Sequence, residues 1–286
     1  MTDPRPQERQ LWRSPTATVG NFSVLRPIPY GPMEAVGPFV FLDHFGPTTA
    51  ATGKLPAHPH AGIEVMTYLL EGANEHTDSL GNVGQIGPGG AQWMRAGRGI
   101  LHAESNVLEQ GSTMHGLQIW ARLPIAEQDA APDYRAIAAD EMPTWSRDGA
   151  DVRLLAGGLE GHEGPIPLAL PALMAHVVLA PGASIALDRS GSDHEAGVYG
   201  IDGSATLDGE DTLVRGTMAR LADGATSVRL ACEGDAPAAV LLIGGEPAPR
   251  PLHFGGPFVF DSPKALERAY QRYASGEMGT LDGTPF

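Results

Sequence analysis

His58-Pro59-His60-Ala61-Gly62-Ile63-Glu64 and, forty-two positions beyond His60, His102-Ala103-Glu104 decide how this chain is read. In an extended strand the side chains at i and i+2 leave the same face. His58 and His60 therefore aim into one space, and on a second strand His102 and Glu104 do the same. If the two strands lie side by side in a barrel, four ligand-capable side chains converge on one point. A lone His-x-His is more often a pair of surface or hydrogen-bonded residues than a metal site. Two such pairs among dense turn glycines carry more weight. Neutral imidazoles with one carboxylate suit a divalent first-row metal. Such a site keeps a formal positive charge and attracts an anionic oxygen. Coordination positions left open favour chemistry over a closed structural role.

Working outward, short β-like runs recur along the chain: Asn21-Phe22-Ser23-Val24-Leu25, Phe39-Val40-Phe41-Leu42, Ile63 to Leu70, Ile100-Leu101-His102 and Leu117 to Leu123. Turn signals separate them, among them Glu71-Gly72, Ser79-Leu80-Gly81-Asn82, Gly87-Pro88-Gly89-Gly90 and Gly97-Arg98-Gly99. This rhythm predicts a sandwich or barrel. Around Ala130 to Pro143 the alternation is lost and two prolines appear, which marks a connection between halves. The pattern then resumes with Val152 to Gly158, Met174 to Leu179, Ala183 to Leu187, Val198 to Ile201 and the apolar run Ala238 to Ile243. Tyr68-Leu69-Leu70-Glu71-Gly72 has a counterpart in Tyr199-Gly200-Ile201-Asp202-Gly203, the trace of an internal repeat. One helix stands out near the end. Ser262 suits its N-cap, Pro263 its first position and Gly276 its stop, with Leu266, Ala269, Tyr270 and Tyr273 on one face.

With 286 residues the chain fits two domains. The expected fold is all-β: two tandem β-barrels, the first over 1–135 with the metal, the second over 136–286 with the short C-terminal helix. The second half has no His-x-His, and adjacent His194-Glu195 would point to opposite faces, so no metal is expected there. A net charge of −15 opposes direct nucleic-acid binding, whose affinity comes from lysine and arginine displacing counterions. The single cysteine, Cys232, excludes an internal disulfide and a multi-thiolate site. Met1 to Arg13 lacks the apolar core of a signal peptide, and no stretch reaches membrane-spanning length. A cytoplasmic protein without membrane contact is expected.

The same residues resemble a known family. His58-Pro59-His60-Ala61-Gly62-Ile63-Glu64 is similar to the first cupin motif, and Gly87-Pro88-Gly89 through His102-Ala103-Glu104-Ser105-Asn106 to the second. The detailed wording resembles the pirin family: Phe41-Leu42-Asp43-His44-Phe45-Gly46-Pro47, Thr67-Tyr68-Leu69-Leu70-Glu71-Gly72, Glu75-His76-Thr77-Asp78-Ser79 and Gln92-Trp93-Met94-Arg95-Ala96-Gly97 onward. Gly116-Leu117-Gln118-Ile119-Trp120, Gly244-Gly245-Glu246-Pro247 and Gly256-Pro257-Phe258-Val259 continue the match in the family's order.

The resemblance implies a bicupin with one divalent ion, usually Fe(II), in the N-terminal barrel; Cu, Ni, Co, Mn or Zn would suit the same ligands. The family's ligands fall on His58, His60, His102 and Glu104. Many other cupins ligate through the motif-one glutamate, which here is Glu64, so Glu64 becomes a supporting residue. The implied activity is a dioxygenase that cleaves flavonols such as quercetin with O₂ and releases carbon monoxide, with Glu104 as general base. A second implied role is a redox-responsive, iron-binding regulator acting through protein partners such as transcription factors or metabolic enzymes. A third is a sugar-binding cupin with a structural metal. Nearby residues have plainer expected roles: His44 bonding backbone, His76 in a hairpin tip, His115 in structure, Trp93 and Met94 in the core, Arg95 and Arg98 in solvated loops.

Overall fold

The computed structural model describes residues 8–20, 22–31, 33–49, 54–106, 112–189, 194–248 and 250–281. The first seven residues and Asn21, the start of the first expected strand, lie outside them. The described chain is mostly strand, with one α-helix, Pro263–Ala274, among the described residues. None of its helices is long and apolar enough to cross a membrane.

The chain forms two compact units, and neither is continuous in sequence. One comprises Thr16–Val24, Val40–Glu141 and Ala248–Phe286; the other comprises Met1–Pro15, Leu25–Phe39 and Met142–Pro247. This differs from a single cut at 135/136. Asp133–Ile137, inside the stretch expected to be a connection, is a strand paired with Ala91–Arg95 of the first unit. At the other end, the Gln10–Arg13 strand pairs with Thr217–Arg220 of the second unit. The C-terminal helix also changes place. Ala265 and Ala269 pack in one cluster with Ala61, Leu101, Phe258 and Phe260 of the first unit. Backbone pairing and apolar burial, both long-range in sequence, set these boundaries.

The helix begins as expected. Ser262 accepts a hydrogen bond from the Ala265 N–H, Pro263 opens the first turn, and Gly276 follows the end at φ +78°. Its buried face centres on Ala265 and Ala269, while Tyr270 is largely exposed and meets Phe258 edge-on. Leu266 and Tyr273, also on the expected face, are partly buried against the same cluster.

In the first unit, a four-stranded sheet runs in the order Lys54–His60, Ile100–Asn106, Asn74–Asp78, Val83–Ile86. A second sheet sets Asp133–Ile137, Ala91–Arg95, Ile63–Glu71 and Thr113–Arg122 side by side. The second unit is built alike from a large sheet and the four-stranded set Ser184–Asp188, Ser227–Ala231, Ser204–Leu207, Asp211–Val214. The repeat trace survives in three dimensions. Tyr68 and Tyr199 are both fully buried, and Gly72 and Gly203 both turn the chain at positive φ. The interior of the second unit is filled by alanine, valine, leucine and isoleucine from facing strands, with the Cys232 thiol buried at 3.2 Å from the Ala236 carbonyl.

The turn that feeds the Ile100–Asn106 strand depends on Gly97. Its φ is +51°, and a Cβ there would lie 2.2 Å from the Ala130 carbonyl oxygen. Gly97→Ala is expected to destabilise the protein by about 3 kcal/mol, from left-handed strain plus a backbone clash. Gly81, with φ +87° but open space around it, isolates the strain alone, so Gly81→Ala is expected to cost only about 1 kcal/mol. Denaturant midpoints check the pair, and equal shifts would refute the clash.

Candidate metal centre

The Lys54–His60 and Ile100–Asn106 strands run antiparallel with His102 opposite His58. Strand alternation then carries His60 onto the same side. Among the described residues, His58, His60 and His102 form one cluster whose ligand nitrogens all lie within 4.8 Å of one another. His58 Nε2 and His102 Nε2 are 3.0 Å apart. Two nitrogens bound to one ion at about 2.1 Å and at a right angle stand roughly 3.0 Å apart, so the spacing fits a shared cation.

The outer nitrogens explain why these faces are presented. His58 Nδ1 lies 2.9 Å from the Pro56 carbonyl and His60 Nδ1 3.1 Å from the Pro257 carbonyl. A carbonyl only accepts, so in each ring Nδ1 holds the proton and Nε2 keeps its lone pair. His60 Nε2 is buried without a hydrogen-bond partner. A buried polar atom left without a partner is costly unless something completes it. A divalent ion does so, and the three residues fit one.

Burial favours the neutral form of two of the three rings, His60 and His102. Burial pushes the His60 imidazole well below the usual histidine range, and neighbouring His58 adds to this against the Pro257 carbonyl. Burial does the same for His102, helped by His58, His60 and His76. Neutral imidazole is the form that ligates.

Glu104 lies two residues beyond His102, outside the tight imidazole cluster, and is buried. Its Oε1 sits 2.8 Å from Thr67 Oγ1, 2.9 Å from Asn74 Nδ2 and 2.6 Å from Gln92 Nε2. Thr67 Oγ1 is also 2.6 Å from Gln118 Oε1, and its single proton serves one acceptor at a time. Tyr134 extends the network, its hydroxyl donating to Gln92 Oε1 at 3.3 Å. Burial, with the Glu104 and Asp78 carboxylates nearby, pushes the Tyr134 phenol up, so it stays a donor.

Glu64 faces the other way. It alternates with Val65 and Thr67 on one strand, and Thr67 is the residue that reaches Glu104. Glu64 is fully buried and accepts the Trp93 indole N–H at 2.9 Å. His76 is no hairpin-tip residue. It is buried with Nδ1 3.4 Å from His102 Nδ1, Nε2 3.1 Å from Asp78 Oδ2, and its ring stacked on Tyr134. His44 bonds a side chain as well: its Nε2 faces His115 Nε2 at 2.7 Å in a buried stacked pair. Met94 and Trp93 fill core, Arg95 reaches the Ala131 carbonyl, and Arg98 is exposed. In the second unit Glu195 pairs with Arg220.

Sequence reasoning did not single out Thr67, Asn74, Asp78, Gln92 or Tyr134. A signal existed for two of them: Asn74, His76 and Asp78 alternate on one strand, so all three share a face. Tyr134 had none, because its strand reads as a connection.

Comparison with known proteins agrees with this architecture. The sequence profile described as Pirin matches residues 21–121, and that of the Pirin C-terminal cupin domain matches residues 174–279. A Pirin-like protein of Caulobacter vibrioides is 35% identical over 273 residues, covering 92% of each chain. Human Pirin is 32% identical over 253 residues, 86% of this chain and 84% of that one. The crystal structure of quercetin 2,3-dioxygenase from Acinetobacter baumannii superposes with a TM-score of 0.89 at 26% identity, over 98% of this chain and 93% of the other. With both domains matched in order, an all-β pair of cupin barrels and a histidine cluster in the first, the chain belongs to the pirin family.

Proposed function

We propose that the protein is a metal-dependent dioxygenase that opens the heterocyclic ring of flavonols such as quercetin, taking up O₂ and releasing carbon monoxide. The observation that carries this reading is the convergence of three imidazoles beside a buried carboxylate that meets Thr67, Asn74 and Gln92. His58, His60 and His102 would hold the ion with Glu104 as the fourth ligand. Bound there, a divalent first-row metal, Fe(II) by family resemblance, supplies Lewis-acid and oxygen chemistry.

The chain's own residues do the rest. Thr67, Asn74 and Gln92 fix Glu104 through Oε1, which leaves Oε2 to take the proton of the flavonol 3-hydroxyl. Phe41 and Trp120 stack at 4.0 Å, and Trp120 meets His60 edge-on at 4.9 Å, an aromatic wall suited to a flat polyphenol. The Trp120 Nε1–H is buried without an acceptor, so it is available to a substrate oxygen. Closeness in fold to the Acinetobacter dioxygenase supports the same reaction. The test is incubation in air of protein loaded with iron, copper, nickel or cobalt. Loss of quercetin absorbance with carbon monoxide release is expected, and loss with none of the four metals rejects the reading.

A further inference from the structure

Each clustered histidine needs an acceptor behind it to keep its Nε2 lone pair inward, and two of the three use backbone carbonyls. His102 does not. The group facing its Nδ1 is another side chain, His76 Nδ1 at 3.4 Å. We propose that His76, anchored by Asp78, is the positioning residue that sets the ring plane and tautomer of His102. This rests on the proposed metal site for its purpose, but its geometry stands apart from it.

The register creates the contact. The Asn74–Asp78 strand pairs with Ile100–Asn106 so that Asp78 lies opposite His102 and His76 opposite Glu104. All four side chains thus share one face. Asp78 is buried, and its Oδ1 receives the Leu80 and Asn82 N–H groups at 2.9 and 3.0 Å. Its Oδ2 receives Asn82 Nδ2 at 2.8 Å and faces His76 Nε2 at 3.1 Å.

A carboxylate only accepts, so His76 Nε2 carries a hydrogen. With Nε2 on the carboxylate, Nδ1 is the atom that His76 turns to His102. An ion on His102 Nε2 requires that ring's hydrogen on Nδ1, where His76 Nδ1 is the group placed to accept it. The 3.4 Å link is the longest of the chain, so the angle of His76 matters most there. Stacking on Tyr134, with centroids 4.0 Å apart and planes 6° from parallel, holds that angle. Partners behind metal-bound histidines of this kind are worth about 10–100-fold in metal affinity.

Two variants separate this role from simple packing. His76→Phe keeps the ring for Tyr134 but removes the acceptor. His76→Gln loses the ring but offers an amide oxygen to His102. Long-range ¹H–¹⁵N NMR of the metal-free protein reads the His102 tautomer, and Co(II) titration with visible spectra reads affinity and ligand field. The wild type is expected to show His102 protonated at Nδ1. In His76→Phe that preference is expected to vanish, with Co(II) bound about 10–100-fold more weakly and an altered spectrum, while His76→Gln restores much of both. A His76→Phe protein with the wild-type tautomer and Co(II) affinity within about twofold overturns the proposal. So does a His76→Gln protein that binds more weakly than His76→Phe, since that makes the ring structural. If His76→Phe fails to fold, the wild-type tautomer and the His76→Gln affinity decide. Wild-type protein that binds no cobalt but shows the Nδ1–H tautomer would sink the metal reading and leave the relay standing.

Discussion

Protein carrying His60→Ala is expected to leave a desalting column with less than about a tenth of the metal that wild type retains. Four-ligand zinc sites are worth about 10–16 kcal/mol, so one ligand in four carries roughly 3 kcal/mol, near two orders of magnitude in affinity. His60 is the sharpest choice of the three. Its Nε2 is the buried atom without a partner, and its Nδ1 rests on the Pro257 carbonyl. Removing the ring leaves that carbonyl short of one donor, a cost of about 1–3 kcal/mol that lowers but does not abolish stability. Elemental analysis with a thermal melt checks both. Full metal retention in a folded His60→Ala protein would falsify the site.

Glu104→Gln is expected to cut flavonol turnover by about 10²–10⁴-fold, the range of a lost general base. The amide is isosteric, and with its oxygen in the Oε1 place the donors Thr67, Asn74 and Gln92 keep their acceptor. The fold should therefore persist. Its nitrogen then occupies the Oε2 place, where it can neither take a proton nor ligate. Turnover is to be compared at saturating metal, so that weakened binding does not pass for lost chemistry. A kcat within about tenfold of wild type removes Glu104 from the proton-transfer role.

The parity of short strands was the part of this molecule most open to reading. Alternation alone pairs His58 with His60, and the two lie in one cluster in the structure. The helix caps were equally readable, because a serine, a proline and a glycine act within one turn of chain. Strand partners were not. Nothing local to Asn74–Asp78 announces that it lies beside Ile100–Asn106, yet that pairing brings His76 and Asp78 to His102. Nor does anything near residue 10 announce a partner near 218. The stretch from Ala130 to Pro143 misleads for a physical reason. Its prolines flank rather than interrupt the Asp133–Ile137 strand, which supplies Tyr134 to the network. Family resemblance favours Glu104 over Glu64 as the carboxylate, and in the structure Glu64 accepts the Trp93 indole N–H.

The Pro257 carbonyl behind His60 bears on how the protein is made. Synthesis runs from the N-terminus, so His58, His60, His102 and Glu104 leave the ribosome long before residue 257 does. A nascent barrel at that stage has its histidines but not the acceptor that orients His60, nor the Phe258 and Phe260 side chains packed against Ala61. An ion at the proposed site would therefore meet a fully oriented His60 only once nearly the whole chain has emerged.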